Sequence, residues 1–304
     1  MQRLVRPGNV LAAALALTAL RAIVQLATVA WPIQTRILGY LAGPMLIIIP
    51  NLLAAWLAWK ISQDHEGPSA MGLCWRLMML GAAVNALRNL YEVSSFLAGR
   101  LDPARYPALG LRQILIVLSL LLMIAALLSM WSSFASLGLG VRPRVLDVCL
   151  TAAILLLVPP VFAGRGLLSD AISPYAVVRY LQYASPFLLA VPAALAVVLC
   201  RISSEMGGGA LAIALRLFAA SFALRLIALI GATAPWLRGE AILALFASHF
   251  FVVLSSAAHW LVVLGLSYRW ELSHSAIRLI RRYEDHGAEE LAGLAGSLTS
   301  HTRP

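Results

Sequence analysis

The chain reads as an all-α integral membrane protein of about eight transmembrane helices, and three observations predict that class. Of its 304 residues 61% are hydrophobic and 12% are charged, against about 25% charged in an ordinary soluble domain. Mean hydropathy is +0.87. The apolar residues gather in runs of about 20, the length that crosses the hydrocarbon of a bilayer, and turn-forming residues separate the runs.

Taken in order, the runs cover 10–30, 37–59, 71–98, 109–137, 145–163, 175–199, 210–231 and 241–268. The breaks carry Trp31-Pro32, Asp64 to Pro68, Asp102-Pro103, Arg142-Pro143, Ser173-Pro174, Gly207 to Gly209 and Pro235. The first run follows Arg3 and Arg6 as the core of a signal peptide would. Arg21 interrupts it, however, and it resumes to Ala30, which favours a span.

Orientation follows from the basic residues. Arg3, Arg6, Lys60, Arg142, Arg144, Arg201, Arg269, Arg278, Arg281, Arg282 and Arg303 fall on one side, and Arg36, Arg100, Arg105, Arg165 and Arg238 on the other. The richer side is expected to be cytoplasmic, so both termini are expected there, in a cell membrane such as a bacterial inner membrane. Trp56, Trp59, Trp75, Trp131, Trp260 and Trp270 are expected at the inner interface, and Trp31 and Trp236 at the outer.

The net charge of +10 would suggest nucleic acid in a soluble chain, but here it lies in loops and helix ends, and nucleic-acid binding is not expected. Cys74, Cys149 and Cys200 are isolated, so no metal site or disulfide framework is indicated.

The second and sixth runs share a pattern: Tyr40-Leu41, Pro44, Pro50 and Lys60-Ile61-Ser62 against Tyr180-Leu181, Pro186, Pro192 and Arg201-Ile202-Ser203. The next runs align Arg76 and Arg88 with Arg216 and Arg225. This predicts an internal repeat, with 1–137 and 138–268 as two parallel four-helix units and a cleft between them. The paired prolines would kink the helices lining it.

Ionisable groups inside a bilayer are costly and point by default to a ligand path or a helix contact. Asn85, Arg88, Asn89 and Glu92 lie on one helical face, with Arg88 and Glu92 spaced for an i,i+4 pair. Arg225 has no acid at i±3 or i±4. The expected ligand site is therefore Arg88, Glu92, Arg225, His249, Asn85 and Asn89, with Arg225 left for an anion. His259 is expected closer to the inner side. Arg76 and Arg216 are expected to snorkel, and Arg21, Gln25, Asn51, Arg112, Gln113, Arg179 and Gln182 to join helices or snorkel.

No cofactor is expected: the runs hold histidines only at His249 and His259, both on the last one, where a haem held between two halves would need one on each. No catalytic or phosphate-loop motif occurs, so an enzyme is not the favoured class. The favoured function is a transporter, flippase or binder of an amphiphilic anionic, lipidic small molecule. The alternatives are a sensor or membrane-complex subunit that docks a protein partner through 269–297, and a haem-free quinone-binding electron-transfer anchor. The tail 269–304 is expected to be a cytoplasmic amphipathic helix over about 270–294. Its apolar positions are Trp270, Ile277, Leu279, Ile280 and Tyr283. Arg278, Arg281 and Arg282 come before the acids Glu284, Asp285, Glu289 and Glu290, so its basic half suits the bilayer surface and its acidic half a partner.

Overall fold

A computed structural model describes residues 5–30, 32–65, 69–98, 107–139, 144–168, 176–237 and 250–274. Among these residues the chain forms eight helices and no strand. They are α1 (Pro7–Ala30), α2 (Pro32–Gln63), α3 (Ala70–Leu97), α4 (Pro107–Ala135), α5 (Val145–Leu168), α6 (Ala176–Glu205), α7 (Ala210–Leu237) and α8 (Phe250–His274). Seven of them are long and apolar enough to cross a membrane on their described residues. α5 has 24 residues, enough for a span at 1.5 Å per residue. The protein is accordingly an all-α, multi-pass membrane protein.

Local chemistry sets several helix ends. Ser69 caps α3, its Oγ accepting from the Gly72 amide at 3.0 Å. α4 closes where Gly138 turns to φ 78°, with the Leu139 amide donating to Phe134 O and the Gly138 amide to Ala135 O. That is the paired bonding of a glycine-terminated helix, and it satisfies carbonyls that would otherwise be orphaned. α2 runs unbroken through Pro44 and Pro50, although Pro50 has no N–H to give the carbonyl of Leu46.

α2 packs on α3 and α1, α3 on α4, α5 on α6 and α7, and α6 on α7. Further contacts run between α1–α4 and α5–α8. α4 packs on α6, and α8 meets α2 where Trp56 and Trp270 approach with centroids 6.3 Å apart. α1 is peripheral and shows Leu15, Ile23 and Leu26 outward, as a helix facing lipid does. At the proposed equivalent positions Ser62 Oγ donates to Trp59 O and Ser203 Oγ to Cys200 O. Ile61 and Ile202 are fully buried, and Pro50 and Pro192 are both buried.

The packed core occupies the half of the bundle that holds the C-terminal ends of α2, α4, α6 and α8 and the N-terminal ends of α3 and α7. It contains Leu57, Ile61, Trp75, Met78, Leu127, Met130, Leu199, Ile202, Leu215, Phe218 and Leu266. Asp147 ties α5 to this end through Arg201, Oδ2 to Nη1 at 3.2 Å.

Two expectations need correction here. Trp75 and Trp260 belong to the core, at 2% and 3% exposure, and not to an interfacial belt; Trp59 and Trp131 are exposed as a belt requires. The last helix does not end at Tyr268 but continues to His274, because Trp270 packs against Trp56 and His274 (centroids 3.8 Å apart) and so extends the buried face. The remainder of the expected tail helix lies outside the described residues.

Candidate functional site

A cavity of about 400 Å³ opens in the other half of the bundle. α3 supplies Asn85 and Arg88, α4 supplies Ile116, Ser119 and Leu120, and α7 supplies Arg225 and Ala228. α8 adds Phe251, Val252, Ser255 and His259, while Ile47 and Leu189 enter from α2 and α6. Arg225 lies 15 residues beyond Ala210, Arg88 lies 18 beyond Ala70, and His259 lies 15 before His274. At 1.5 Å per residue these depths are about 22–27 Å from the core end of the bundle. Near-equal depth on three different helices is what brings the groups into one space.

The two arginines are held differently. Arg88 Nη2 donates to Asn89 Oδ1 at 2.7 Å, and Asn89 Nδ2 donates back to the Asn85 carbonyl at 2.7 Å. Asn89 is buried, so it works as the clamp that aims Arg88. Arg225 makes no hydrogen bond or ion pair among the described residues. Its guanidinium lies over the Phe222 ring, 5.8 Å from the centroid, and its Nε is buried without a partner. A guanidinium on an aromatic face gains from the ring quadrupole while its terminal nitrogens stay free for a ligand.

Glu92 does not pair with Arg88. Its Oε2 accepts from Arg112 Nε at 3.2 Å, across α3 and α4. The i,i+4 spacing allowed the intrahelical pair, but Arg88 is turned to Asn89 and Arg112 arrives from the neighbouring helix. Glu92 thus stands outside the cavity lining. Arg21 does not snorkel: it is 5% exposed, its Nε and Nη1 have no partner among the described residues, and it packs on Gly43, where any Cβ would collide with the guanidinium. Arg76 and Arg216 are exposed near the core end, and Arg216 Nε reaches Ser203 Oγ at 3.1 Å. Gln113 Nε2 donates to Leu181 O at 3.5 Å, joining α4 to α6. His249 lies outside the described residues, as do the side chains of Arg179 and Gln182.

Three lining or supporting groups were not among the expected site residues, although Asn51 was expected to join helices and does so here. His259 stands at the depth of Arg225, because α8 runs six residues past the expected end and the depth must be counted from there. Its Nδ1 donates to Ser255 O at 2.7 Å, and its Nε2 meets Asn85 Nδ2 at 3.1 Å. Asn51, on α2, accepts from the same Asn85 nitrogen at 3.0 Å. Ser119 Oγ donates to Gly81 O at 3.0 Å, binding α4 to α3 at the cavity wall. A polar residue in each apolar run was the available signal, but the partner of each lies on another helix.

The described cavity wall therefore carries two cationic guanidiniums, neutral amide, imidazole and hydroxyl groups, and no carboxylate. No protein-family model, no curated protein and no solved structure matches the chain.

Proposed function

We propose that the protein binds an amphiphilic anion in this intramembrane cavity and moves it between the leaflets or faces of the membrane. The observation that carries the reading is Arg225: a guanidinium on the cavity wall with neither carboxylate nor hydrogen-bond acceptor among the described residues. Such a charge in a low-dielectric setting is stabilised by an anion with planar or tetrahedral oxygens. The apolar surface of Ile47, Ile116, Leu120, Leu189 and Val252 suits a hydrocarbon portion on the same ligand. The supporting layout is a parallel 4+4 repeat with cytoplasmic termini, in which the α4–α6 and α8–α2 contacts are counterparts. The test is lipid and small-anion retention on the purified protein, read by native mass spectrometry. Arg225→Leu should lose the retained anion, and retention equal to wild type would refute the proposal.

One observation favours a second reading, that of a sensor. α8 carries Phe251, Ser255 and His259 in the cavity and continues without a break through Trp270 to His274, within the expected tail 269–304. Ligand-driven movement of α8 would then reach a partner held by 269–297.

A further inference from the structure

We infer that the anion taken by this cavity brings a hydrogen-bond donor of its own, as a phosphate P–OH or a headgroup hydroxyl does. The inference rests on the anion reading above and narrows its ligand class. It comes from a chain of hydrogen bonds whose direction is forced at both ends. At one end the acceptor is the carbonyl of Ile47, 2.7 Å from Asn51, so Asn51 must present its Nδ2 there and its Oδ1 to Asn85. At the other end the carbonyl of Ser255, 2.7 Å from His259 Nδ1, obliges that nitrogen to carry a hydrogen, and the Asn85 amide nitrogen that faces Nε2 makes Nε2 the acceptor. Asn85 Nδ2 stands between them, 3.0 Å from Asn51 Oδ1 and 3.1 Å from His259 Nε2, and gives one hydrogen to each. Both amide hydrogens of Asn85 are spent.

Only the Oδ1 of Asn85 remains for the cavity it lines, and that atom accepts and cannot donate. Flipping the amide would set oxygen against Asn51 Oδ1 and against His259 Nε2, two repulsive contacts in place of two bonds. His259, donating at Nδ1 to Ser255 O and accepting at Nε2 from Asn85, offers no donor either. Ser119 has given its hydrogen to Gly81 O and presents lone pairs; the hydroxyl of Ser255 can serve either way. Donors thus come from Arg88 and Arg225, and fixed acceptors from Asn85 and Ser119. A phosphodiester without a hydroxyl, or a sulfonate, would satisfy the first pair and leave the second dry and unpaired, which is the arrangement binding sites discriminate against.

Three single-chain probes at pH 5 test this, each bearing about one negative charge there: monododecyl phosphate with a P–OH, dodecyl phosphoglycerol with hydroxyls only on the headgroup, and dodecyl methyl phosphate with neither. Binding to the detergent-purified full chain is measured by calorimetry against dodecyl maltoside as the uncharged baseline. The expected result is that at least one donor-bearing probe binds about tenfold or more tightly than the methyl diester. A gain confined to the monoester identifies the P–OH as the source, and one confined to the phosphoglycerol identifies the headgroup hydroxyl. In Asn85→Leu the difference should shrink to about threefold or less, while the ligand series on the wild-type chain stands even if that variant fails to fold. Equal affinity for all three, still abolished by Arg225→Leu, would overturn the donor requirement and keep the anion site. No binding above the baseline by any probe would overturn both.

Discussion

At the residue scale the deciding fact is which charges inside the spans have partners. Arg112 and Glu92, both partly buried, satisfy each other, whereas Arg225 has none among the described residues. Removing one member of such a pair inside a span leaves the other charge without its partner, but removing an unpaired charge strands nothing. Arg225→Leu is therefore expected to keep or raise the melting temperature in detergent while losing ligand, and Arg112→Leu to lower it. Thermal melts of the two variants beside wild type check the contrast. A second residue effect concerns Gly265, where an added Cβ would stand 2.7 Å from Phe218 Cε1 and 3.1 Å from the Ala214 carbonyl. The backbone oxygen cannot retreat and the Phe218 ring is 1% exposed, so Gly265→Ala should cost about 1–3 kcal/mol. The loss should be smaller when Phe218→Leu is also present, a coupling that a double-mutant melt would register. Asn85, Arg88 and Arg225 were legible as polar groups in hydrocarbon, because such residues are rare enough to stand out. The partners of Glu92 and Asn85 were not, because both come from other helices and spacing along one helix carries no information about them.

At the scale of the element, helix positions were legible from apolar run and turn residue, and the last helix was misjudged for a definable reason. Tyr268-Arg269-Trp270-Glu271 reads as an interfacial exit, yet Trp270 packs on Trp56 and helix geometry continues. The same ambiguity misplaced Trp75 and Trp260: a tryptophan near a helix end belongs to a belt only when its face meets lipid, and both of these face other helices. Helix orientation makes a separate prediction. With the basic loops inside, alkaline phosphatase fused after Arg105 or Gly166 should be active, and fused after Gly67 or Gly208 inactive. The reverse pattern of activities would invert the proposed topology. Pro50 and Pro192 bear on the proposed duplication, since both are buried in the interior of α2 and α6. If those helices are counterparts, Pro50→Ala and Pro192→Ala should alter ligand exchange in the same direction, as measured by release of a bound dodecyl phosphate.

At the scale of the whole molecule, the bundle is dense at one end and hollow at the other. Trp75, Phe218, Leu57, Ile61 and Leu215 fill the end that holds most of the basic loops, and the cavity lies beyond them. Composition established the membrane class, but no sequence period distinguishes a packed level of a bundle from a hollow one, because both are apolar. Truncation offers a test at this scale: 284–304 follows the last apolar run and begins with the acids of the expected tail, so insertion and melting temperature should be unchanged without it. Loss of a co-purifying protein on that truncation would favour the sensor reading, and unchanged transport without it the transporter reading.

The depth of the cavity carries an electrical consequence. α3 and α7 have 28 residues each and so are about 42 Å long, which leaves about 6 Å beyond each face of a hydrocarbon layer about 30 Å thick. Counted that way, the two arginines lie a little beyond the midplane, toward the outer face in the proposed topology. An anion arriving from outside would then cross about two fifths of the transmembrane voltage before it is held. At −100 mV that fraction opposes a single negative charge by about 0.9 kcal/mol, roughly a fivefold loss of occupancy. An anion arriving from the cytoplasm would be driven toward the same site by the remaining three fifths of the field. If the protein moves an anion as proposed, the resting voltage of a cell would load the cavity from within and empty it outward.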